Sequence, residues 1–268
     1  MSDIFKDSNI SSGFDLLQIL KGHFDVGDSN SWWWPSYLSL EVQNGIEVRG
    51  ARTHSPNVMF CIASILGQNT KYENASSAIY NLYSYLTKVI ESRISKNDLE
   101  QLNEFKSYKY PNLAFISQSR FCNNIIEIIS GMNQSELINL IKSAGFHNQK
   151  SQRIILLTKN ILQDFGDFES FSENVTREWL LSQKGIGNES ASSILNYGLC
   201  RAEMVVDKYT QKLLGKLGFE FDDYYEIQNF LSKELEKAKD LYNYDISLAQ
   251  IMARFHGKIV EYGKKHRI

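Results

Sequence analysis

Residues 180–214 read LLSQKGIGNESASSILNYGLCRAEMVVDKYTQKLL, and the rest of the chain is best understood from this stretch. Gly185-Ile186-Gly187 is a tight Gly-x-Gly turn between two helical patterns. Trp179-Leu180-Leu181 lies upstream; downstream Ala191, Ile194, Leu195 and Gly198 recur at i, i+3, i+4 and i+7, one helix face. The glycines allow a sharp turn and let a partner approach the backbone. The N–H groups of Gly187, Asn188, Glu189 and Ser190 then stand free at a helix start, where the dipole favours an anion. Flanked by Lys184, the turn is a candidate phosphate seat. A second device follows: Asp207, after the apolar run Met204-Val205-Val206 and before a helical pattern through Tyr209, Leu213, Leu214 and Leu217. Taken singly, Gly-x-Gly also fits an ordinary helix–helix turn, and an Asp before a helix also fits a simple N-cap.

The whole chain sets bounds on this reading. Its 268 residues suffice for one large or two modest domains, and three prolines among long runs of Leu, Ile, Lys and Glu favour helix. A formal net charge of −2 argues against a protein that coats nucleic acid through bulk charge. A DNA site must be a local basic patch, for which Lys142, Lys150, Arg153, Lys184, Lys208, Lys212 and Lys216 are candidates. Cys61, Cys122 and Cys200 have neither zinc-ligand nor disulfide-scaffold spacing and read as small buried apolar residues. Without a signal peptide or a long uncharged apolar run, the expectation is a cytoplasmic, nucleoid-associated monomer that does not enter membranes.

Outside the central stretch, Phe14 to Leu20 reads as an amphipathic helix. Trp32-Trp33-Trp34-Pro35 cannot place all three indoles in one core, because helix and strand both spread neighbours apart. At least one is expected at a surface or cleft, either as the edge of a packing cluster or as a wall for a planar ligand. Residues 36–57 look like an irregular insertion with short strands near Ile46-Glu47-Val48. A helix over Val58 to Tyr72 buries Met59, Ile62, Ala63 and Leu66 and ends in Gly67-Gln68-Asn69-Thr70. Further helices are expected at Ala75–Ile90, Ser135–Lys142, Ser151–Phe165, Tyr225–Ala238 and Ile246–Tyr262, with two or three short ones between residues 91 and 132. Ser172 or Thr176 is the expected cap of the first hairpin helix, and Lys264 to Arg267 are expected to form a mobile basic tail.

The apolar-x-Gly-Ile-Gly turn, its amphipathic helix and Val205-Val206-Asp207 together resemble the helix-hairpin-helix DNA glycosylase superfamily. The nearest likeness is to the Helicobacter–Campylobacter type of 3-methyladenine DNA glycosylase. It is carried by Trp32 to Pro35, by Leu66 to Lys71, by Gly145-Phe146-His147-Asn148-Gln149-Lys150, by residues 175–191, by Met204 to Tyr209 and by residues 246–261. The resemblance implies an all-α, two-domain glycosylase. Residues 58–199 would carry the hairpin, residues 1–57 and 200–268 would form the second domain, and the lesion would enter the cleft between them.

It also implies roles. Asp207 would be the essential carboxylate, and Trp33 or Trp34 with Pro35 would wall the flipped base. The second wall would fall at Val58, with Phe60 the nearest aromatic, and Lys258, near His256, would be a pocket lysine. Gln68 or Asn69 would enter the gap left by the base. Asn148, Lys150, Lys208 and the hairpin residues Lys184 to Ser190 would contact double-stranded DNA carrying damaged bases. The carbonyls of Leu181, Gln183 and Ile186 match positions where relatives hold Na⁺ or K⁺; no other cofactor is implied. Two departures from the endonuclease III branch stand out. Glu189 occupies the place of the lyase lysine, and no cysteine follows Cys200, so no iron–sulfur cluster is expected. Both point to a monofunctional enzyme. A glycosylase for another lesion and a non-catalytic hairpin protein in which Asp207 only caps a helix remain the alternatives.

Overall fold

Side-chain caps set most of the helix starts. The computed structural model describes residues 3–6, 8–24, 26, 32–33, 40–43, 46–49, 55–93 and 119–268, with backbone alone for 40–43 and 46–49. Ser12 Oγ accepts from the Asp15 N–H at 3.2 Å and opens α1 (Gly13–Lys21). Leu40–Gln43 (β1) and Ile46–Arg49 (β2) pair antiparallel, Leu40 opposite Arg49. The expected strands near Ile46 are thus a hairpin appended to an all-α fold. Asn57 Oδ1 caps α2 (Val58–Leu66) through the Met59 N–H at 2.8 Å, and every residue of this helix is buried. Then come α3 (Tyr72–Glu91), α4 (Cys122–Gly131), α5 (Gln134–Ile141), α6 (His147–Phe165) and α7 (Phe168–Asn174).

The hairpin is α8 (Arg177–Ser182), capped by Thr176 rather than Ser172, and α9 (Asn188–Ser193), which widens into a π-helical turn over Ile194–Gly198. The chain closes with α10 (Lys208–Lys216), α11 (Tyr224–Ser232) and α12 (Leu248–Lys265).

Several expected boundaries move, among them these. The helix over 58–72 divides at Gly67, and Asn69 adopts the left-handed conformation (φ 48°) before α3 begins at Tyr72. The helix expected to reach Ala238 stops at Ser232; Glu234 is left-handed (φ 64°), and Leu235–Leu241 continue as a 3₁₀ turn. The exposed basic tail begins in helix: α12 runs to Lys265, and the His266 ring lies 4.4 Å from that of Tyr262.

Buried side chains gather in two cores. One is built by α2 to α9 with Trp32; the other by α1 and α10 to α12. α12 serves both, sending Ala249 and Ala253 to the first and Ile251, Phe255 and Ile259 to the second. Residues 204–206 lie between the cores as an extended strap. Val205 enters the first core, while Met204 and Val206 enter the second, the alternation an extended chain imposes. The strap therefore delivers Asp207 to the seam.

A polar network locks this strap to the hairpin. Arg177 Nη1 lies 2.6 Å from Glu203 Oε1 and donates to Ser192 Oγ at 2.8 Å. Gln228 Nε2 donates to Glu203 Oε1 at 2.8 Å and to the Met204 carbonyl at 2.7 Å. The Tyr224 hydroxyl donates to Ser192 Oγ at 2.9 Å and accepts from the Val206 N–H at 3.2 Å. The Arg177 guanidinium also lies over the Tyr224 and Tyr225 rings, at 5.4 and 5.2 Å.

Two consequences can be measured by thermal or denaturant unfolding. At Gly13 an added Cβ would fall 1.7 Å from the Leu231 carbonyl oxygen, so Gly13→Ala should separate α1 from α11 at a cost of about 1–3 kcal/mol. Glu203→Ala leaves the partly buried Arg177 without its carboxylate and should cost about 2–3 kcal/mol.

Candidate active site

Asp207 is the N-cap of α10 and lies at the seam of the two cores. Its Oδ1 accepts from the Thr210 N–H at 2.8 Å and from the Thr210 hydroxyl at 2.9 Å. Its Oδ2 lies 3.4 Å from Nε2 of His256 on α12. Burial pushes this carboxyl up, but the charge and hydrogen-bonding of His256, with the Thr210 backbone and hydroxyl, outweigh it and hold the group below its usual value. Asp207 is thus both a helix cap and an ionised carboxylate at the floor of a cleft of about 1080 Å³.

Trp33 and Tyr72 are two aromatic residues on the wall of that cleft. Trp33 is left-handed (φ 65°), an uncommon conformation for a bulky residue. Its ring lies against α12, where a Cβ at Gly257 would come within 2.4 Å of it, and edge-on to His256 at 5.5 Å. Trp32, by contrast, is 3% exposed and belongs to the first core, so neighbouring indoles diverge. Trp34 and Pro35 lie outside the described residues. Tyr72 opens α3 and is 37% exposed.

Val58 and Phe60, expected at the second wall, are absent from the lining of the described cleft, which includes Tyr72. Val58 and Phe60 are buried inside α2, whose start is tied to the π turn by the Asn57 N–H to Gly198 carbonyl bond at 2.8 Å; neither lines the cleft. The signal for Tyr72 was an aromatic directly after Gln68-Asn69-Thr70-Lys71. Lys258 is likewise buried, its Nζ donating to the Phe24 carbonyl, and is not among the residues lining the described cleft.

The Gln68–Asn69 tip divides its labour. Gln68 Nε2 donates to the Gly185 carbonyl at 3.0 Å and to Ser190 Oγ at 2.8 Å, while its Oε1 accepts from Arg153 at 2.6 Å. Gln68 therefore ties the end of α2 to the hairpin turn. Asn69, exposed and left-handed, stands on the cleft rim. Lys150, expected to face DNA, is 1% exposed. Its Nζ donates to the carbonyls of Leu66 at 2.9 Å and Ala144 at 2.8 Å, and burial, then the Arg153 charge, lowers its pKa to about 8. Its role is to satisfy helix-end carbonyls beneath the tip. Asn148 is exposed at the start of α6, beside Phe146, an aromatic 61% exposed and left-handed (φ 46°).

Gly185 has φ 77°, a conformation that favours glycine, and an added Cβ would fall 2.0 Å from the Arg153 side chain, which would have to shift. Ile186 is buried and anchors the turn, and Lys184 is exposed with its Nζ 3.1 Å from Gln152 Oε1. Gly187 caps α9 without a side-chain partner for the free N–H groups, and Asn188 Oδ1 accepts from Arg177 at 3.1 Å. Glu189 opens into the cleft with Lys208. Enclosure by the cleft walls and then the Asp207 charge push the Glu189 carboxyl up, while His256 and Lys208 pull it down. Two carboxylates in one cleft are thus driven apart, Asp207 towards ionised and Glu189 towards neutral. Near the end of α8, the Gln183 carbonyl accepts from the Ile186 N–H at 3.1 Å and keeps a second lone pair, and Leu181 packs partly buried against the first core. Among the described residues no group of three His, Cys, Asp or Glu could hold a metal, and no helix is long and apolar enough to cross a membrane.

Residues 62–237 match the family model of the HhH-GPD superfamily base excision DNA repair proteins. A Methanocaldococcus jannaschii protein provisionally named a DNA repair glycosylase is 28% identical over 267 residues, covering 97% of this chain and 90% of its own length. Thermotoga maritima endonuclease III is 25% identical over 131 residues, 48% of this chain and 54% of that protein. The crystal structure of H. pylori 3-methyladenine DNA glycosylase bound to 1,N6-ethenoadenine shares the fold with a TM-score of 0.70 and 33% identity, covering 95% of this chain and 98% of that one. With its glycine hairpin, its capped carboxylate and this match across most of its length, the chain belongs to the HhH-GPD superfamily of base excision DNA repair proteins and is a DNA glycosylase.

Proposed function

We propose that the protein is a monofunctional glycosylase that removes alkylated purines, 3-methyladenine above all, from double-stranded DNA. The observation that carries this reading is the ionised, capped Asp207 on the floor of a cleft walled by Trp33 and Tyr72, with Glu189 beside it where a lyase would need a lysine. The likeness to the H. pylori 3-methyladenine enzyme supports the substrate class.

Alkylation at N3 gives adenine a positive charge and a weak glycosidic bond, so the leaving group needs little acid help. The enzyme must extrude the base, hold it and stabilise the sugar. Electron-rich aromatic faces such as Trp33 and Tyr72 favour a cationic purine over a neutral one. Asp207 Oδ2, the oxygen not engaged by Thr210, would face the sugar, stabilise oxocarbenium charge at C1′ and align the attacking water. Glu189 has no amine to form a Schiff base, so the product is an abasic site.

The remaining contacts follow from exposure. Asn69, free of the bonds that occupy Gln68, would fill the gap left by the base, and the exposed ring of Phe146 would stack at the same tip. Backbone N–H groups after Gly187, with Lys184 and Lys208, would meet phosphates. The carbonyls near the end of α8 (Leu181, Gln183) and that of Ile186 are the hard oxygen donors a Na⁺ or K⁺ requires, and such an ion would bridge the turn to a phosphate. We take the two cores as the two domains, with the lesion entering at their seam.

The deciding experiment is release of free methylated bases from alkylated DNA. Asp207→Asn keeps a good N-cap, so it should fold and bind DNA yet release 3-methyladenine at least about 100-fold more slowly. Full activity in this variant would reduce Asp207 to a cap. Borohydride should trap no covalent enzyme–DNA complex, and a trapped complex would restore a lyase reading. Lys208→Ala should flatten the salt dependence of DNA binding by a slope of about one, whereas Lys150→Met should leave the slope intact and lower the melting temperature.

A further inference from the structure

Thr210 satisfies one oxygen of Asp207, and the orientation of the other needs a separate explanation. Oδ2 faces Nε2 of His256 at 3.4 Å. That nitrogen is enclosed by protein, has only this long contact to Oδ2, and belongs to a residue that lines the cleft. A buried ring nitrogen held at the long end of hydrogen-bond range from a carboxylate calls for a reason.

The opposite side of the ring supplies the reason. Nδ1 lies 2.9 Å from the Tyr197 hydroxyl, which also lies 3.4 Å from the Ala253 carbonyl. With Tyr197 as donor to Nδ1 the imidazole proton sits on Nε2, directed at Oδ2; in the charged ring Nδ1–H donates to Tyr197 and Nε2–H still faces Oδ2. The ring cannot swing away, because Trp33 stands edge-on at 5.5 Å and the Tyr197 ring lies at 6.2 Å. Tyr197 comes from the π turn that continues the hairpin's second helix, and His256 from α12. The pair therefore joins the DNA-gripping element to the carboxylate across the seam.

We propose that His256, oriented by Tyr197, is a positioning residue for base excision: it aims Oδ2 of Asp207 into the cleft and draws closer as charge develops at the sugar. It acts through Asp207 and does not itself touch the substrate. The inference rests on Asp207 being the reaction's carboxylate. Other groups face the same space: Glu189 from α9, Lys208 beside Asp207 on α10, and Glu261 and Lys264 from α12. Of these, Glu189 is pushed up by enclosure and then by the Asp207 charge, while His256 pulls both carboxyls down, so removing His256 should raise both.

The test compares wild type, His256→Ala, His256→Gln, Tyr197→Phe and Asp207→Asn. Three quantities are measured: single-turnover release of 3-methyladenine across pH, affinity for a duplex carrying an abasic-site analogue, and the Asp207 carboxyl titration by carbon NMR in the free protein. His256→Ala should slow release by at least about ten-fold while affinity stays within about two-fold. The Asp207 titration and the acid limb of the rate should both move to higher pH. His256→Gln, which restores an N–H at that reach, should recover part of the rate, and Tyr197→Phe should lose a smaller part in the same direction. A wild-type rate with an unmoved titration in His256→Ala overturns the proposal, as does a loss of rate matched by loss of affinity that Gln does not relieve. If His256→Ala does not fold, His256→Gln and Tyr197→Phe decide: wild-type titration in both overturns it. Full activity in Asp207→Asn would overturn the catalytic reading itself. The NMR titration needs no lesion, so an error in substrate class leaves it intact.

Discussion

Holding a carboxylate ionised inside protein is the constraint on which the rest of this structure depends. Withdrawing a carboxylate from water costs several kcal/mol unless polar partners replace it. Asp207 finds them in the first turn of α10 and in His256. The N-cap is the least expensive way to do so, since the Thr210 N–H needs an acceptor in any case. Capping one oxygen leaves the other for chemistry. Structural duty and catalytic duty are thus compatible on one side chain, and the two readings of an Asp before a helix do not exclude each other.

A carboxylate at a seam is useful only if the seam does not slide. Here the two cores are joined by polar groups as much as by apolar ones. Arg177, Glu203, Ser192, Gln228 and Tyr224 bind the hairpin, the strap and α11 into one network, and the Val206 N–H is one of its members. Gln68 and Arg153 do the same for the hairpin turn and the tip of α2, over the buried ammonium of Lys150. Such networks are costly when incomplete and rigid when complete. Rigidity is what a glycosylase needs between the backbone it grips and the sugar it attacks, because a small displacement of the carboxylate costs rate.

In the monofunctional reading proposed above, Glu189 stands where a lyase would need an amine, so the cleft gains a second acid in place of a nucleophile. Enclosure by the cleft walls and then the neighbouring Asp207 charge push that carboxyl above its usual value. Lys208 and His256 lean the other way, and the balance leaves one charged and one reluctant carboxyl in the same space.

How much of this was legible in the chain alone follows the range of the forces involved. Gly185-Ile186-Gly187, the helix after it and the Asp207 cap depend on neighbours within four residues, so they can be read from spacing. So can the divergence of Trp32 and Trp33, which follows from backbone periodicity. Chain-wide matching of short motifs carried the family. What the sequence could not determine is where a long or polar side chain points once other elements pack on it. Lys150 reads as a DNA-contacting lysine and is instead enclosed by α2 and the turn after α5. Val58 and Tyr72 are both close to the tip, but only the tertiary arrangement exposes one and buries the other. Gln68 and Asn69 are neighbours of similar chemistry, divided by contacts more than a hundred residues away in sequence. His256 and Tyr197 lie 59 residues apart and meet only because α12 crosses the π turn. Local chemistry is written in local spacing; burial and partnership are set by long-range packing, which only the folded chain decides.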